Sequence, residues 1–255
     1  MANVLKTRIA QRQRTVQYPK QAAILPDRFL GLPKIAAGKC ASGCSACIRV
    51  CPVQAIHKAQ GTAVIDMGRC IFCGACARHC PDQVITFTAG YILAANERRG
   101  LAVSGDACFL HARPLEPKRL RLFRRSLRLR QVSAGGCNAC EADINVLNTI
   151  VFDLARFGIQ FVASPRHADG LLVTGPVTAN MELALRKTYD ATPAPKIVIA
   201  VGACAISAGM FAGHADVHHG VDEMLPVDLY IPGCPPHPYT ILDGLLRLLG
   251  RVRTF

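Results

Sequence analysis

The stretch Cys70-Ile-Phe-Cys-Gly-Ala-Cys-Ala-Arg-His-Cys80, with Pro81 directly after it, places four cysteines in eleven residues and constrains this chain more than any other feature. Its spacing, C-x2-C-x2-C-x3-C-P, is the run that holds iron–sulfur cubanes, with three thiolates on one cluster and the fourth reaching across to another. A structural zinc needs two separated cysteine pairs, or cysteine with histidine, closing one tetrahedron. The crowding disfavours zinc, so the segment predicts one-electron chemistry.

A cross-ligating run implies a partner run, and Cys40-x3-Cys44-x2-Cys47-x3-Cys51-Pro52 supplies it. The two superpose at an offset of 29 residues, which pairs Cys44 with Cys73, Cys47 with Cys76, Cys51 with Cys80 and Pro52 with Pro81. The offset continues through Gln54/Gln83 and Ile56/Ile85, the mark of a duplicated unit. By the cross-over rule, one cluster takes Cys40, Cys44, Cys47 and Cys80, and the other takes Cys70, Cys73, Cys76 and Cys51. Cys40 and Cys44 enclose three residues where two are usual, an insertion that Gly43 is suited to absorb.

Composition bounds the rest. With 255 residues and 51% hydrophobic content, the chain is expected to form one large or two modest domains with a sizeable core. No apolar run reaches the length of a membrane span, about 18–20 residues. The N-terminus, with Lys6, Arg8, Arg12 and Arg14, lacks the apolar region of a secretory signal. Twelve of the 13 cysteines fall into three sets of four with ligand character, so a reducing compartment is expected and not a disulfide scaffold. Cys108 is left over and reads as a plain thiol.

The formal charge of +13 is unevenly placed: residues 1–39 and 91–134 each carry +7, whereas residues 135–255 carry −3. Residues 1–39 read as a basic arm interrupted by Pro19, Pro26 and Pro33, lying on another surface or solvated as a tail. Residues 40–90 read as an α+β two-cluster ferredoxin domain, with short strands at 63–66 and 84–88 and with the clusters serving as its core. Residues 91–125 form a basic linker, with a short helix expected over 91–99. Arg113 to Arg130 holds eight basic residues but one aromatic, Phe123. Contact with an acidic partner subunit or an anionic membrane face fits this run better than nucleic acid does.

From Ser126 the pattern alternates strand and helix, implying an α/β domain over 126–255 with an open parallel sheet. Strands are expected at 127–132, 159–163, 170–174, 196–201 and 227–231. Helices are expected at 142–156, 181–189 and 239–249. The last four cysteines follow such strands: Cys137 and Cys140 in Gly135-Gly-Cys-Asn-Ala-Cys-Glu141, Cys204 in Gly202-Ala-Cys-Ala205, and Cys234 in Ile231-Pro-Gly-Cys-Pro-Pro236. Ligands of open parallel sheets bind beyond the carboxyl ends of the strands. All four thiols are therefore predicted to meet there, near a helix whose positive end favours an anionic cluster.

These motifs, with Ser164-Pro-Arg-His-Ala-Asp169 and Val173-Thr-Gly-Pro-Val-Thr178, resemble the small subunit of membrane-bound, energy-converting [NiFe] hydrogenases and the homologous 20 kDa subunit of respiratory complex I. Residues 40–100 resemble the two-cluster ferredoxin subunit of the same complexes, as in formate hydrogenlyase, so the chain looks like a fusion of two usually separate polypeptides. The resemblance implies a flavodoxin-like fold for the second domain. It also implies a proximal [4Fe–4S] cluster on Cys137, Cys140, Cys204 and Cys234, giving three [4Fe–4S] clusters in all. The complex I subunit typically has adjacent cysteines where this chain has Cys137-x2-Cys140, and that spacing leans towards hydrogenase.

The chain is thus expected to relay electrons and to carry no catalytic residue of its own. The expected partners are a catalytic large subunit ([NiFe] hydrogenase-like or complex I 49 kDa-like), membrane subunits, and a low-potential donor or formate dehydrogenase module, with no nucleic acid. The expected location is the cytoplasmic side of the inner membrane, as a peripheral subunit. The alternatives are a complex I-type subunit that delivers electrons to quinone and, ranked lower, a zinc-stabilised nucleic-acid-binding module. Glu141 reads as a favourable acid in a helix's first turn or as part of a proton path. Arg166 and His167 could tune the cluster, face a partner or cap a loop. His214, His218 and His219 have metal-like spacing but sit in a segment that reads as a loop.

Overall fold

The computed structural model describes residues 2–11, 14–36, 40, 43–59, 61–105 and 109–252. Cys108 and the insertion residues 41 and 42 lie outside them. After the helix α1 (Ala2–Gln11), the first unit runs β1 (Pro33–Ile35), α2 (Ala46–Val50), β2 (Ile56–Ala59), β3 (Thr62–Asp66), α3 (Ala75–Arg78) and β4 (Ile85–Phe87), with β5 (Ala102–Ser104) following. The duplication seen in the cysteines extends to the backbone. At the same offset of 29, β1 maps onto β3, α2 onto α3 and β2 onto β4. The strand of each half pairs antiparallel with that of the other, β1 with β4 and β2 with β3. The strands expected at 63–66 and 84–88 thus both form, but in different sheets. Gln54 and Gln83 share the left-handed conformation at the matching position (φ +50° and +49°). The core of this unit includes Cys47, Cys70 and Cys76 among its buried residues.

The helix expected over 91–99 does not form. Leu93 and Ala95 enter one hydrophobic cluster while Ala94 enters another, the period-2 alternation of an extended chain buried on both sides. Ala95 pairs with Tyr230 through reciprocal backbone hydrogen bonds of 3.0 and 2.8 Å. A 3-10 turn at Arg98–Leu101 then leads into β5, which joins β3. The connector is therefore a buried strand-like weld between the two units, and residues 33–35 and 102–104 lie in the sheets of the first.

The second unit contains α4 (Pro117–Phe123), β6 (Leu127–Ser133), α5 (Ala139–Val146), β7 (Ile159–Phe161), β8 (Gly170–Thr174), α6 (Ala179–Ala191), β9 (Ile197–Val201), α7 (Ala203–Ser207), β10 (Leu229–Ile231) and α8 (Pro238–Leu248). Its five strands are all parallel, in the order β10-β9-β8-β6-β7. Residues 197, 199 and 201 of β9 face the layer of α5 and α8, and residues 198 and 200 face that of α6 and α7. Burial on both faces explains the unbroken run Ile-Val-Ile-Ala-Val. The expected helix over 142–156 is shorter: α5 stops at Val146, and the β-branched run Thr149-Ile150-Val151 turns back so that Leu147 and Leu154 are both fully buried. No helix among the described residues is long and apolar enough to cross a membrane.

The arm segment docks on its own chain. Val16 N–H donates to Val151 C=O at 2.8 Å, and Arg156 donates to the carbonyls of Val16 and Tyr18 at 2.7 and 3.1 Å. Tyr18 is buried among Tyr91 and Tyr239, and its hydroxyl donates to Asp243. The same carboxylate accepts from Arg247 at 2.7 Å. Tyr18→Phe is expected to cost about 1–3 kcal/mol, because it strips a partner from a buried carboxylate. The loss should read as an unfolding midpoint several degrees lower in the intact chain, with iron content unchanged.

Candidate iron–sulfur sites

The parallel order puts the ends of β6, β9 and β10 at one edge, and the loops leaving them carry Cys137 and Cys140, Cys204, and Cys234. The four thiols lie in one another's electrostatic field. Burial pushes the Cys204 thiol up to about 11, and Cys234 and Cys137 add to the rise. Burial raises Cys140 further still, with Cys204, Glu141, Cys234 and Cys137 contributing. The backbone is shaped to admit the sulfurs. Gly202 has φ +90°, and a Cβ there would stand 2.6 Å from Cys140 Sγ; a Cβ at Gly209 would stand 3.1 Å from Cys204 Sγ. Buried thiols that resist ionisation become stable thiolates only beside compensating positive charge, so this donor set fits an iron–sulfur core.

In the first unit, cysteines of the two runs come within electrostatic reach of one another. Cys47 is raised by burial and by the nearness of Cys40 and Cys80. Cys70, pushed up to about 12 by burial, also feels Cys76, Cys51 and Cys73. Cys76 reaches about 11 by burial, with Cys51, Cys73 and Cys47 adding. The repeat also reproduces a backbone-to-sulfur contact: Ala55 N–H donates to Cys51 Sγ at 3.2 Å and Val84 N–H to Cys80 Sγ at 3.3 Å. Such bonds favour an anionic sulfur and tune a cluster. Cys44 is half-buried beside Gly43, whose φ of +77° matches +53° at Phe72 in the second half. Among the described residues, no three of His, Cys, Asp and Glu are grouped to hold a single metal ion.

The two units meet at the cysteine loops. Gly68 C=O accepts from Ser207 Oγ at 3.0 Å, which ties the turn before Cys70 to the helix that carries Cys204. Ile71 and Phe72 share a cavity of about 220 Å³ with Cys234 and its prolines. Asp66 holds Arg98 in a two-pronged pair at 2.8 and 2.6 Å, bracing the same turn. Sequence reasoning passes over Ile71, Phe72 and Ser207. Ile71 and Phe72 carry one sequence signal, as apolar residues inside a ligand loop where solvent exposure would be costly, and Ser207 carries none.

Three secondary readings resolve structurally. Arg166 and His167 form a 3-10 turn leading into β8, at the sheet edge opposite the cysteines, so they do not adjoin the cluster loops. His218 lies between Glu182 (3.1 Å) and Glu223 (3.8 Å) while His214 pairs with Asp216, so the three histidines serve a loop. Glu141 is buried and accepts from Thr174 Oγ1 at 2.6 Å. Burial would raise its carboxyl, but hydrogen bonds from Ser133 and Thr174 outweigh that and hold it below the ordinary value.

This is the arrangement of an iron–sulfur electron-transfer protein. Residues 32–81 match a 4Fe-4S dicluster domain, and residues 137–248 match the family described as NADH ubiquinone oxidoreductase, 20 Kd subunit. The chain is 46% identical over 131 residues to formate hydrogenlyase subunit 7 of Escherichia coli, covering 51% of each chain. It is 44% identical over 121 residues to a probable membrane-bound hydrogenase subunit of Pyrococcus furiosus (48% of this chain, 72% of the relative). It is 45% identical over 113 residues to an NADH-quinone oxidoreductase subunit of Desulfovibrio desulfuricans (44% and 61%). The chain thus spans from about half to about three-quarters of these relatives. It belongs to the 20 kDa subunit family, as an electron-transfer subunit of an oxidoreductase, and its partners are other subunits of such complexes.

Glu141→Ala leaves the buried Thr174 hydroxyl without its carboxylate partner and is expected to cost about 1–3 kcal/mol. On warming, the electron paramagnetic resonance signal assigned to the carboxyl-edge site should disappear several degrees earlier than in the parent. The ferredoxin signals should persist.

Proposed function

We propose that this chain relays electrons through three [4Fe–4S] clusters to or from a partner's [NiFe] centre, in a complex of the hydrogenase or formate hydrogenlyase type. The proposed ligand sets are Cys40, Cys44, Cys47 and Cys80; Cys70, Cys73, Cys76 and Cys51; and Cys137, Cys140, Cys204 and Cys234. When bound, the clusters supply one-electron oxidation and reduction. The residues of the chain set distance and surroundings. The observation that carries the reading is the packing of the Cys70 loop against the loops of Cys204 and Cys234. It supports a relay in which the Cys70 set is the inner member of the ferredoxin pair and the Cys40 set the outer one, facing a low-potential donor or formate dehydrogenase module. Cys137 and Cys234 are exposed at the carboxyl edge, where the large subunit would cover them.

Membrane subunits complete the proposed complex, with this chain peripheral on the cytoplasmic side of the inner membrane. The name of the Pyrococcus relative supports membrane association. The proposed functional units are the arm (1–39), the ferredoxin domain (40–90, completed by the strands at 33–35 and 102–104), the linker (91–125) and the 20 kDa-like domain (126–255). The intact chain should contain about 12 iron and 12 sulfide. Cys234→Ser should remove about four of each and leave the ferredoxin signals. Stoichiometric zinc without iron would reject the relay.

A second reading, delivery to quinone through a complex I-type partner, shares the family and nearly the same identity to relatives. The Cys137-x2-Cys140 spacing favours the hydrogenase type. In that case the partner supplies thiolates able to hold nickel and iron. The purified complex is expected to contain nickel and to evolve hydrogen from reduced viologen. A nickel-free complex that reduces quinone would select the second reading and leave the three-cluster relay standing.

A further inference from the structure

The all-parallel sheet has two unlike edges, and the one opposite the cysteines is strongly basic. Arg124 and Arg125 lead into β6, Arg156 precedes β7, and Arg166 and His167 lead into β8. The helices run back against the strands, so the end of α8 also arrives here. Arg251 donates to the carbonyls of Arg124 and Phe157, joining three segments. The arm brings three more cations, Arg8, Arg14 and Lys20. Val16 hydrogen-bonds to Val151, and a cavity of about 1130 Å³ is lined by Arg14, Lys20, Arg156 and Ile150. Arg166 and His167 share a second cavity, about 410 Å³, with Arg128 and Leu122.

This charge is not neutralised internally. Among the described residues, none of the ion pairs involves Arg14, Lys20, Arg124, Arg125, Arg128 or Arg166. Asp153 and Asp169 line the two cavities, and Asp169 is engaged by the backbone N–H of Arg128 at 2.7 Å. Large apolar side chains protrude among the cations: Leu122 is 59% exposed and Ile150 70%, and Leu5 and Ile9 of α1 are 65% and 75% exposed. An acidic protein face would pair the arginines and leave these apolar groups against polar surface. Single-stranded nucleic acid would call for aromatic stacking, which this edge lacks apart from the half-buried Phe157. An anionic bilayer meets both needs, with phosphates for the cations and the acyl boundary for leucine and isoleucine.

We infer that the amino edge of the sheet is a docking surface for an anionic lipid membrane. Seven-residue β6 separates the two edges by about 20 Å at roughly 3.3 Å per residue. Docking this way leaves the cysteine edge free for the partner chain, whatever that partner's acceptor is.

The test uses the full chain with its clusters assembled anaerobically, sedimented with vesicles of phosphatidylcholine with or without phosphatidylglycerol. Binding is expected only where phosphatidylglycerol is present, and added salt should weaken it. Combining Arg124→Gln, Arg125→Gln, Arg128→Gln and Arg166→Gln should weaken binding at least about tenfold. Ile150→Ser with Leu122→Ser should weaken it about threefold. Lys34→Gln with Lys58→Gln, on the ferredoxin strands, should bind like the parent. Unchanged iron content checks that each variant is folded. Equal binding to both vesicle types, or undiminished binding by the four-arginine variant, would overturn the inference. Absence of vesicle binding, with the four-arginine variant failing only to enter the purified complex, would overturn it in favour of an acidic protein partner.

Discussion

Cys140 and Cys204, held with Cys137 and Cys234 at one edge of a parallel sheet, resist ionisation, and the design of the second domain follows from that conflict. Burial and mutual repulsion raise Cys140 and Cys204 well above a free thiol. Such a group is tolerable in a folded protein as neutral thiols or as thiolates around a cationic core, and the second state is the one that carries electrons. Glycines at 202 and 209 let sulfur and backbone approach where any side chain would intrude. Glu141 adds negative charge at this edge, held by Thr174 and Ser133, and its field acts on Cys140 and Cys204. Ionised, these groups would repel one another, and a bound cationic core would offset that repulsion.

The ferredoxin unit solves the same problem by duplication. Each half lends a strand to the other, so neither half is complete alone. The unit is also not a bead on a string. Residues 93–95 run extended between two hydrophobic clusters, β5 returns to pair with β3, and the Cys70 turn is bonded to the Cys204 helix. Electron transfer between sites needs a fixed separation, and a buried weld fixes it where a flexible linker would not.

The sheet also divides labour between its edges. Cysteines gather where the strands end, and unpaired arginines gather where they begin. The arm reinforces the second group through Tyr18, Asp243 and Arg247, a buried polar knot that anchors the N-terminal segment to α8. Arg166 and His167, inside the family-like motif Ser164–Asp169, belong to this basic edge and not to the cluster loops.

The iron–sulfur character of the first unit was legible in the chain itself, because spacing is a local property: the two four-cysteine runs and their offset of 29 follow from counting residues, and residues 32–81 match a 4Fe-4S dicluster domain. The parallel sheet was legible too, since β9 reads as an apolar run buried on both faces. Local pattern misled where tertiary burial overrode it. Residues 91–99 suit a helix by composition, yet burial on both sides imposes an extended path, and α5 ends early because Leu147 and Leu154 must reach one core. Nothing in the spacing could reveal that the Cys70 loop lies against the Cys234 loop, that Tyr18 closes onto Asp243, or that distant arginines share one edge. Those are long-range contacts, set by how strands and helices pack in three dimensions. The sequence by itself determined which atoms can bind iron, and only the tertiary structure decided which of them face one another and what surface lies behind them.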